Sequence, residues 1–245
     1  MFFGYPKYNQ VMGQEILQFL EMLSNSDVPR VVSFTEADLL KGRVAVLPAS
    51  FNPPTLAHLE LLDLSKAVTG THSAAAMLTT QNVSKIIHEE SLRHRLAMLM
   101  AVRLTSDLHV LGCNKARIVD QALVLSATFP NCLFDFIVGF DTLIRFFDER
   151  FYDNSQSMTR ELSVFFTGCR LITANRNDDD VNKVYKWIDD NSGSWKESII
   201  VLELNETIRY VSSTIAREAI KEGRASTFLS PLVQDYITRN NLYRD

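Results

Sequence analysis

The sequence lacks features that mark several common classes of protein. It has only 9 glycines and 3 cysteines in 245 residues, and its formal net charge of −4 gives no general attraction to nucleic acid. No stretch reaches the roughly 18 apolar residues that a membrane span needs. The N-terminus, MFFGYPKYNQ, has no basic stretch followed by a long apolar run, so we expect neither a signal peptide nor a membrane partner.

Motifs that define other enzyme classes are also missing. No GxGxxG follows the first predicted strand of the sheet, and neither a GxxxxGK[ST] loop nor a GxSxG elbow occurs. The five histidines form no HExxH pattern and lie near no cysteine pair, so we expect no zinc site built by the protein. The widely spaced Cys113, Cys132 and Cys169 favour a reducing compartment, the cytoplasm or also the nucleus.

The sequence does contain an alternation of strand and helix patterns. An apolar segment at 43–48 (RVAVLP) runs into Asn52-Pro53-Pro54, and a helix is predicted over 55–66. Further strands are predicted at 30–34, 73–78, 108–113, 133–138, 170–173 and 198–204. Further helices are predicted at 10–25, 90–104, 115–127, 141–147, 159–166, 178–189, 213–222 and 231–240. This order predicts an α/β fold with a doubly wound, mainly parallel sheet. We assign 43–245 to one domain and 1–42 to an N-terminal helical extension packed on it.

The turn PASFNPPTLAH (48–58) has the character of a phosphate site. Thr55 is a good cap for the helix that follows, and His58, three residues later, shares its face. The exposed N–H groups and the positive dipole end of a helix favour a phosphate there. A histidine in this position donates to a phosphate oxygen and stabilises developing charge. The alternative is a simple threonine cap beside an incidental surface histidine.

The segment VSSTIAREAI (211–220) is the second unusual turn. Three hydroxyl residues precede a helix, yet none has Glu or Gln three residues later, so no capping box forms. Arg217 lies on the first turn, where a cation is slightly unfavourable for the helix dipole. This placement indicates an anionic ligand gripped by the guanidinium. A Ser/Thr-rich turn with a surface arginine is the alternative.

Together the two segments resemble the signatures of the nucleotidyltransferase superfamily, [H/T]xxH within GSFNPxTxxH at 50–58 and ISSTxxR at 211–217. The closer resemblance is to nicotinamide mononucleotide adenylyltransferases, especially fungal adenylyltransferase-like proteins of the promoter-of-filamentation type. IVGFDTLIRFF (137–147) looks like that family's GxD turn, and FLSPLVQDYITRNNLY (228–243) resembles its closing helix. The resemblance spans about residues 43–243 and implies the Rossmann-like fold of nucleotidyltransferases.

The resemblance implies adenylyl transfer from ATP to nicotinamide or nicotinic acid mononucleotide, with NAD or its deamido form and pyrophosphate as products. It implies Mg²⁺ bound with ATP as the cofactor, and it leaves homo-oligomerisation open. The residues with implied catalytic roles are Thr55, His58 and Arg217. Those implied to bind ATP are Gly139, Asp141, Ser212, Ser213 and Thr214. Those implied to bind the acceptor are Ser50, Phe51 and Lys85, although Lys85 is equally well explained as a solvated lysine.

The sequence also departs from the family pattern. Ala49 stands where the GSFNP segment opens with glycine, and Arg209 stands where an asparagine is usual. The tryptophans that stack on the acceptor base have no match, although one of three aromatic residues would serve: Phe147, Phe151 or Tyr152. Arg95, in RHRLAML (93–99), is either a ligand or half of a structural ion pair. The alternative function is therefore an ATP-binding or ATP-hydrolysing relative with another acceptor, or a non-catalytic regulator.

Overall fold

The computed structural model describes residues 14–37, 40–81, 89–175, 180–224 and 227–244. Its strands are β1 Val31–Ser33, β2 Gly42–Ala49, β3 Thr71–Thr79, β4 His109–Cys113, β5 Cys132–Gly139, β6 Cys169–Ala174 and β7 Ile199–Leu202. Its α-helices are α1 Gln14–Ser24, α2 Leu56–Ser65, α3 Glu89–Arg103, α4 Ile118–Thr128, α5 Phe140–Phe146, α6 Ser155–Gly168, α7 Val181–Asn191, α8 Ser213–Lys221 and α9 Pro231–Arg239. Short 3₁₀ helices cover Glu149–Phe151 and Gly193–Ser198.

The seven strands form one sheet in the order β1-β4-β3-β2-β5-β6-β7. All neighbouring strands are parallel except β1, which runs antiparallel to β4 at one edge. The central strand β2 pairs on both sides, since Val46 lies opposite Ala75 of β3 and Phe136 of β5. The chain moves outward from β2 through β3 to β4 and then returns to β5. The strand order therefore reverses between β2 and β5, where ligands bind in sheets of this type.

Two apolar layers cover the faces of the sheet. Successive residues of β2 alternate between them: Ala45 and Leu47 belong to one buried cluster, and Val44 and Val46 to the other. The first cluster receives side chains from α1, α2, α3, α8 and α9, and the second from α4, α5, α6 and α7. Strands buried on both faces explain the continuous apolar runs in the sequence. The predicted α/β, doubly wound and mainly parallel fold is confirmed.

Some element bounds differ from the prediction for local reasons. Helix α6 begins at Ser155, four residues earlier than predicted, because the Asn154 side chain accepts a hydrogen bond from the Ser157 N–H and caps it there. Strand β7 begins one residue later than predicted because the 3₁₀ helix Gly193–Ser198 leads directly into it, and it ends two residues earlier, at Leu202. Within 14–42 the structure contains both a helix and β1, which extends the sheet, so this segment is not purely helical. The division into 1–42 and 43–245 stays a prediction.

A buried ion cluster joins three neighbouring strands away from the carboxyl ends. The Asp135 carboxylate on β5 is 0% exposed and lies 2.7 Å from Arg43 Nη1 of β2 and 2.6 Å from Arg170 Nη2 of β6. Two half-buried cations thus compensate the buried carboxylate, as such a group requires. All three cysteines are free and buried. No described helix has the length and apolar character required to cross a membrane.

Candidate active site

A cavity of about 230 Å³ opens at the carboxyl ends of β2 and β5. Its lining includes Ala49 at the end of β2, Gly139 at the end of β5, His58 of α2 and Asp141 of α5. Three residues predicted from separate motifs, His58, Gly139 and Asp141, therefore share one cavity. Gly139 is the N-cap residue of α5, and Asp141 lies exposed on its first turn. Ligand pockets generally measure about 300–1,000 Å³, so a nucleotide here would also occupy the neighbouring surface.

Thr55 holds His58 in a defined orientation at the start of α2. The Thr55 main-chain N–H donates to His58 Nδ1 over 3.0 Å, and the Thr55 hydroxyl lies 2.7 Å from the same nitrogen. An N–H group can only donate, so Nδ1 accepts and the ring proton resides on Nε2. Thr55 is completely buried, and in this structure its contacts are those of a residue that orients the histidine. His58 thus presents an N–H donor on the ring nitrogen opposite Thr55.

The buried side chain of Phe51 anchors the loop between β2 and α2 in the core. Its side chain is 1% exposed and its ring centroid lies 5.1 Å from that of His58. Its φ of 45° is in the left-handed region, which is uncommon for a residue with a side chain. Such conformations cost about 1–3 kcal/mol and persist where surrounding contacts hold them, as they do at many ligand sites. Here the burial of the phenyl ring maintains the left-handed conformation and supports the loop next to the cavity.

The loop that carries Asn52 and Pro53 also contacts the N-terminus of α8. Ser213 Oγ donates to the Pro53 carbonyl over 2.9 Å, and Arg217 Nη1 donates to the Asn52 carbonyl over 2.6 Å. Ser212 is the N-cap residue of α8, and its hydroxyl accepts from the Ile215 N–H. The two motifs, about 160 residues apart in sequence, thus meet in space.

Arg217 and the neighbouring Arg95 form a positive region beside this loop. Arg217 Nη2 lies 3.2 Å from Thr214 Oγ1. Arg95 is 7% exposed and donates to the Ser50 carbonyl over 3.3 Å and to Ser91 Oγ over 3.0 Å. Burial, and to a smaller extent the charge of Arg217, lowers the pKa of the Arg95 guanidinium.

Neither guanidinium has an acidic partner among the described residues. In the part of the chain that the structure describes, no carboxylate lies within 4.0 Å of Arg95 or Arg217. The choice between a ligand and half of an ion pair for Arg95 stays a prediction. Two cations that no described acid compensates make a favourable site for a multiply charged anion, because binding it relieves their repulsion.

The aromatic candidates for stacking on an acceptor base lie beside the site rather than in it. Among the described residues the cavity lining includes none of the three. Phe147 packs against Trp187 and Trp195, with ring centroids 5.9 and 6.1 Å apart. The Tyr152 hydroxyl donates to the Phe146 carbonyl, and Arg117 lies over its ring. Phe151 is exposed, and Lys85 lies outside the described residues.

Sequence reasoning missed residues that the fold brings to the site. Thr142 and Arg145 line the cavity because they follow Asp141 on the same short helix. Ile118 lines it from the start of α4. Tyr243 reaches the loop from the C-terminal turn, where its hydroxyl donates to Asn52 Oδ1 over 2.7 Å. The GxD turn pointed toward the first two, whereas no periodicity or spacing pointed toward Tyr243.

The chain is similar to known proteins in sequence and in fold. No protein-family model matches the chain. Over 230 residues the chain is 29% identical to a Schizosaccharomyces pombe protein provisionally named nicotinamide mononucleotide adenylyltransferase, a match that covers 87% of this chain and 84% of that protein.

Solved structures of Plasmodium falciparum nicotinic acid mononucleotide adenylyltransferase, complexed with APC and with NaAD, share the fold with TM-scores of 0.59 and 0.60. At 19% identity, each match covers 82% of this chain and 96% or 97% of the other. The chain is thus similar in sequence to a provisionally named nicotinamide mononucleotide adenylyltransferase, and it shares its fold with solved nicotinic acid mononucleotide adenylyltransferases.

Proposed function

We propose that the protein transfers the adenylyl group of ATP to nicotinamide or nicotinic acid mononucleotide, with NAD or its deamido form and pyrophosphate as products. One observation carries this proposal. A single loop, residues 50–55, joins the cavity that contains His58 to the positive region of Arg95 and Arg217. A nucleoside triphosphate fits this arrangement, in which a concave site for the nucleoside lies next to two cations without described acidic partners. The names of the relatives support the same reaction class.

The proposed step is a direct in-line displacement. An oxygen of the acceptor's phosphate attacks the α-phosphorus of ATP and forms a new P–O bond. The bond from the α-phosphorus to its bridging oxygen breaks, and pyrophosphate leaves with the electron pair. This chemistry depends on position and charge neutralisation more than on covalent help from the protein. ATP would arrive as its Mg²⁺ complex, and the described residues include no group of three or more His, Cys, Asp or Glu that would hold a metal ion.

Each proposed role follows from a contact. The Nε2–H of His58 would donate to an α-phosphate oxygen, where charge develops in the transition state. Arg217 would neutralise the departing pyrophosphate, with the hydroxyls of α8 beside it. Asp141 and Gly139 would contact a ribose from the cavity wall. Ser50 and the main-chain N–H of Phe51, next to Arg95, would receive the acceptor's phosphate.

The experiment is a coupled assay with ATP, Mg²⁺ and each mononucleotide in separate reactions, with dinucleotide as the readout. We expect dinucleotide from the wild type and a loss of about 100- to 1,000-fold in His58→Ala, the usual effect of removing one such donor. His72→Ala is the matched control, because His72 is an exposed histidine at the opposite, amino end of β3. Bound ATP without dinucleotide from either acceptor would contradict the proposal and favour another acceptor or a regulatory role.

A further inference from the structure

The C-terminal turn after α9 directs one side chain into the phosphate end of the site. The chain reverses through Asn241 and Tyr243, whose φ angles of 53° and 61° lie in the left-handed region, and the Leu242 N–H donates to the Ile237 carbonyl. Left-handed conformations are unfavourable for residues with side chains, so tertiary contacts must maintain them. The hydroxyl of Tyr243 supplies such a contact, since it donates to Asn52 Oδ1 over 2.7 Å.

Tyr243 and Arg217 contact the same residue from two sides. The side-chain oxygen of Asn52 accepts from Tyr243, and its main-chain oxygen accepts from Arg217 over 2.6 Å. The guanidiniums of Arg95 and Arg217 both act electrostatically on the Tyr243 hydroxyl, but burial dominates and raises its pKa to about 12. The phenol therefore stays protonated at neutral pH and remains a donor. It reaches the loop of residues 50–55 without adding a negative charge beside Arg95 and Arg217.

The helix that precedes this turn is also fixed to the site. Tyr236 of α9 lies 3.0 Å, hydroxyl to Nδ1, from His94 of α3. The residue after His94 is Arg95, which donates to the Ser50 carbonyl. Helix α9 thus packs on α3, which carries Arg95. Tyr243 holds the loop whose carbonyl groups accept hydrogen bonds from Arg95 and Arg217.

We propose that Tyr243 is a positioning residue for the triphosphate of ATP: through Asn52 it fixes the loop that orients Arg217. This inference rests on the proposed function. The hydroxyl of Tyr243 already donates a hydrogen bond to Asn52. The effect of Tyr243 on ATP binding therefore passes through the loop rather than through a direct contact with ATP. Tyr243→Phe removes the hydroxyl and retains the buried ring.

The test is direct binding of ATP and of AMP, measured by calorimetry without any acceptor. We expect Tyr243→Phe to weaken ATP binding about fivefold, which corresponds to one lost hydrogen bond of about 1 kcal/mol, and to leave AMP binding unchanged. Tyr185→Phe is the matched control. It removes a hydroxyl from an exposed tyrosine of α7, which packs on the other face of the sheet, and should leave both affinities unchanged.

A double variant then tests the route through Asn52. If Tyr243 acts through that side chain, Asn52→Ala with Tyr243→Phe should bind ATP no more weakly than the poorer single variant. In steady-state assays the KM for ATP should rise, while the KM for the mononucleotide should not change.

The inference is overturned if Tyr243→Phe stays within twofold of the wild type for ATP, if it weakens AMP equally, or if Tyr185→Phe shows the same loss. Wild-type protein that binds ATP but yields no dinucleotide would refute the proposed function, and the affinity comparison would still decide the role of Tyr243.

Discussion

Replacement of Arg95 by methionine should raise the free energy of unfolding of the ligand-free protein and reduce the further stabilisation that ATP provides. Arg95 is buried without a described acidic partner, and burial of an uncompensated ion costs several kcal/mol. Two hydrogen bonds offset part of this cost, and the one to the Ser50 carbonyl is long at 3.3 Å. Bonds to a charged group contribute about 1.5–3 kcal/mol each at good geometry.

Methionine has similar length and fills irregular space without a charge. The cost of burying the Arg95 charge, less the contribution of its two hydrogen bonds, predicts a gain of about 1–2 kcal/mol in the free energy of unfolding of Arg95→Met. This corresponds to about 2–8 °C in Tm for a chain of this size. A native residue that lowers the stability of the folded protein in this way is typical of residues retained for function. Arg95→Lys, which keeps the charge, should show no such gain.

Thermal unfolding with and without ATP and Mg²⁺ provides the assay. Ligand at 100 times its Kd stabilises a protein by about 2.7 kcal/mol, and the wild type should show a shift of that size. In Arg95→Met the shift should largely disappear at the same ATP concentration, because one of the two cations is gone. A ligand-free variant about 2 kcal/mol less stable than the wild type would refute this reasoning and make Arg95 a structural residue.

Three further predictions test other parts of the structure. Asp135→Asn should lower the free energy of unfolding by about 3–5 kcal/mol in chemical denaturation, because it removes the buried carboxylate between two arginines; a loss below about 1 kcal/mol would contradict this. Thr55→Val keeps the N–H bond to His58 and loses the hydroxyl, so kcat should fall about 5- to 10-fold, and a loss as large as that of His58→Ala would be inconsistent with a positioning role. Burial raises the pKa of Cys113 to about 11 and of Cys169 to about 12, so iodoacetamide at pH 8 should leave both unlabelled by mass spectrometry until the protein unfolds; rapid labelling of native protein would show that the thiols are accessible.

The fold and the outline of the site could be predicted because both depend on local patterns. Apolar runs identified the strands, and ligand sites in parallel sheets lie at strand carboxyl ends, so the turns after β2 and β5 were the informative ones. Cap chemistry marked Thr55 as a helix start, and the structure confirms it as the N-cap residue of α2. The sequence placed three hydroxyl residues before the later helix without a choice among them, and Ser212 is the one that caps α8.

Contacts between distant side chains could not be predicted in the same way. The bond from Tyr243 to Asn52 spans 191 residues and leaves no periodic signal. The sequence left Arg95 open between a ligand and an ion pair, because only the folded chain shows which groups surround it. For the same reason the antiparallel pairing of β1 with β4 was missed: a three-residue strand carries no information about its partner.

The central claim is that the α-phosphate of ATP passes to a pyridine mononucleotide. The most direct test follows ATP labelled at the α-phosphorus, with nicotinamide and nicotinic acid mononucleotides in separate reactions. We predict that the label appears in the dinucleotide with at least one of them, that unlabelled pyrophosphate forms in equal amount, and that neither product forms without acceptor. Label in ADP or AMP, at a rate that neither mononucleotide changes, would contradict the account.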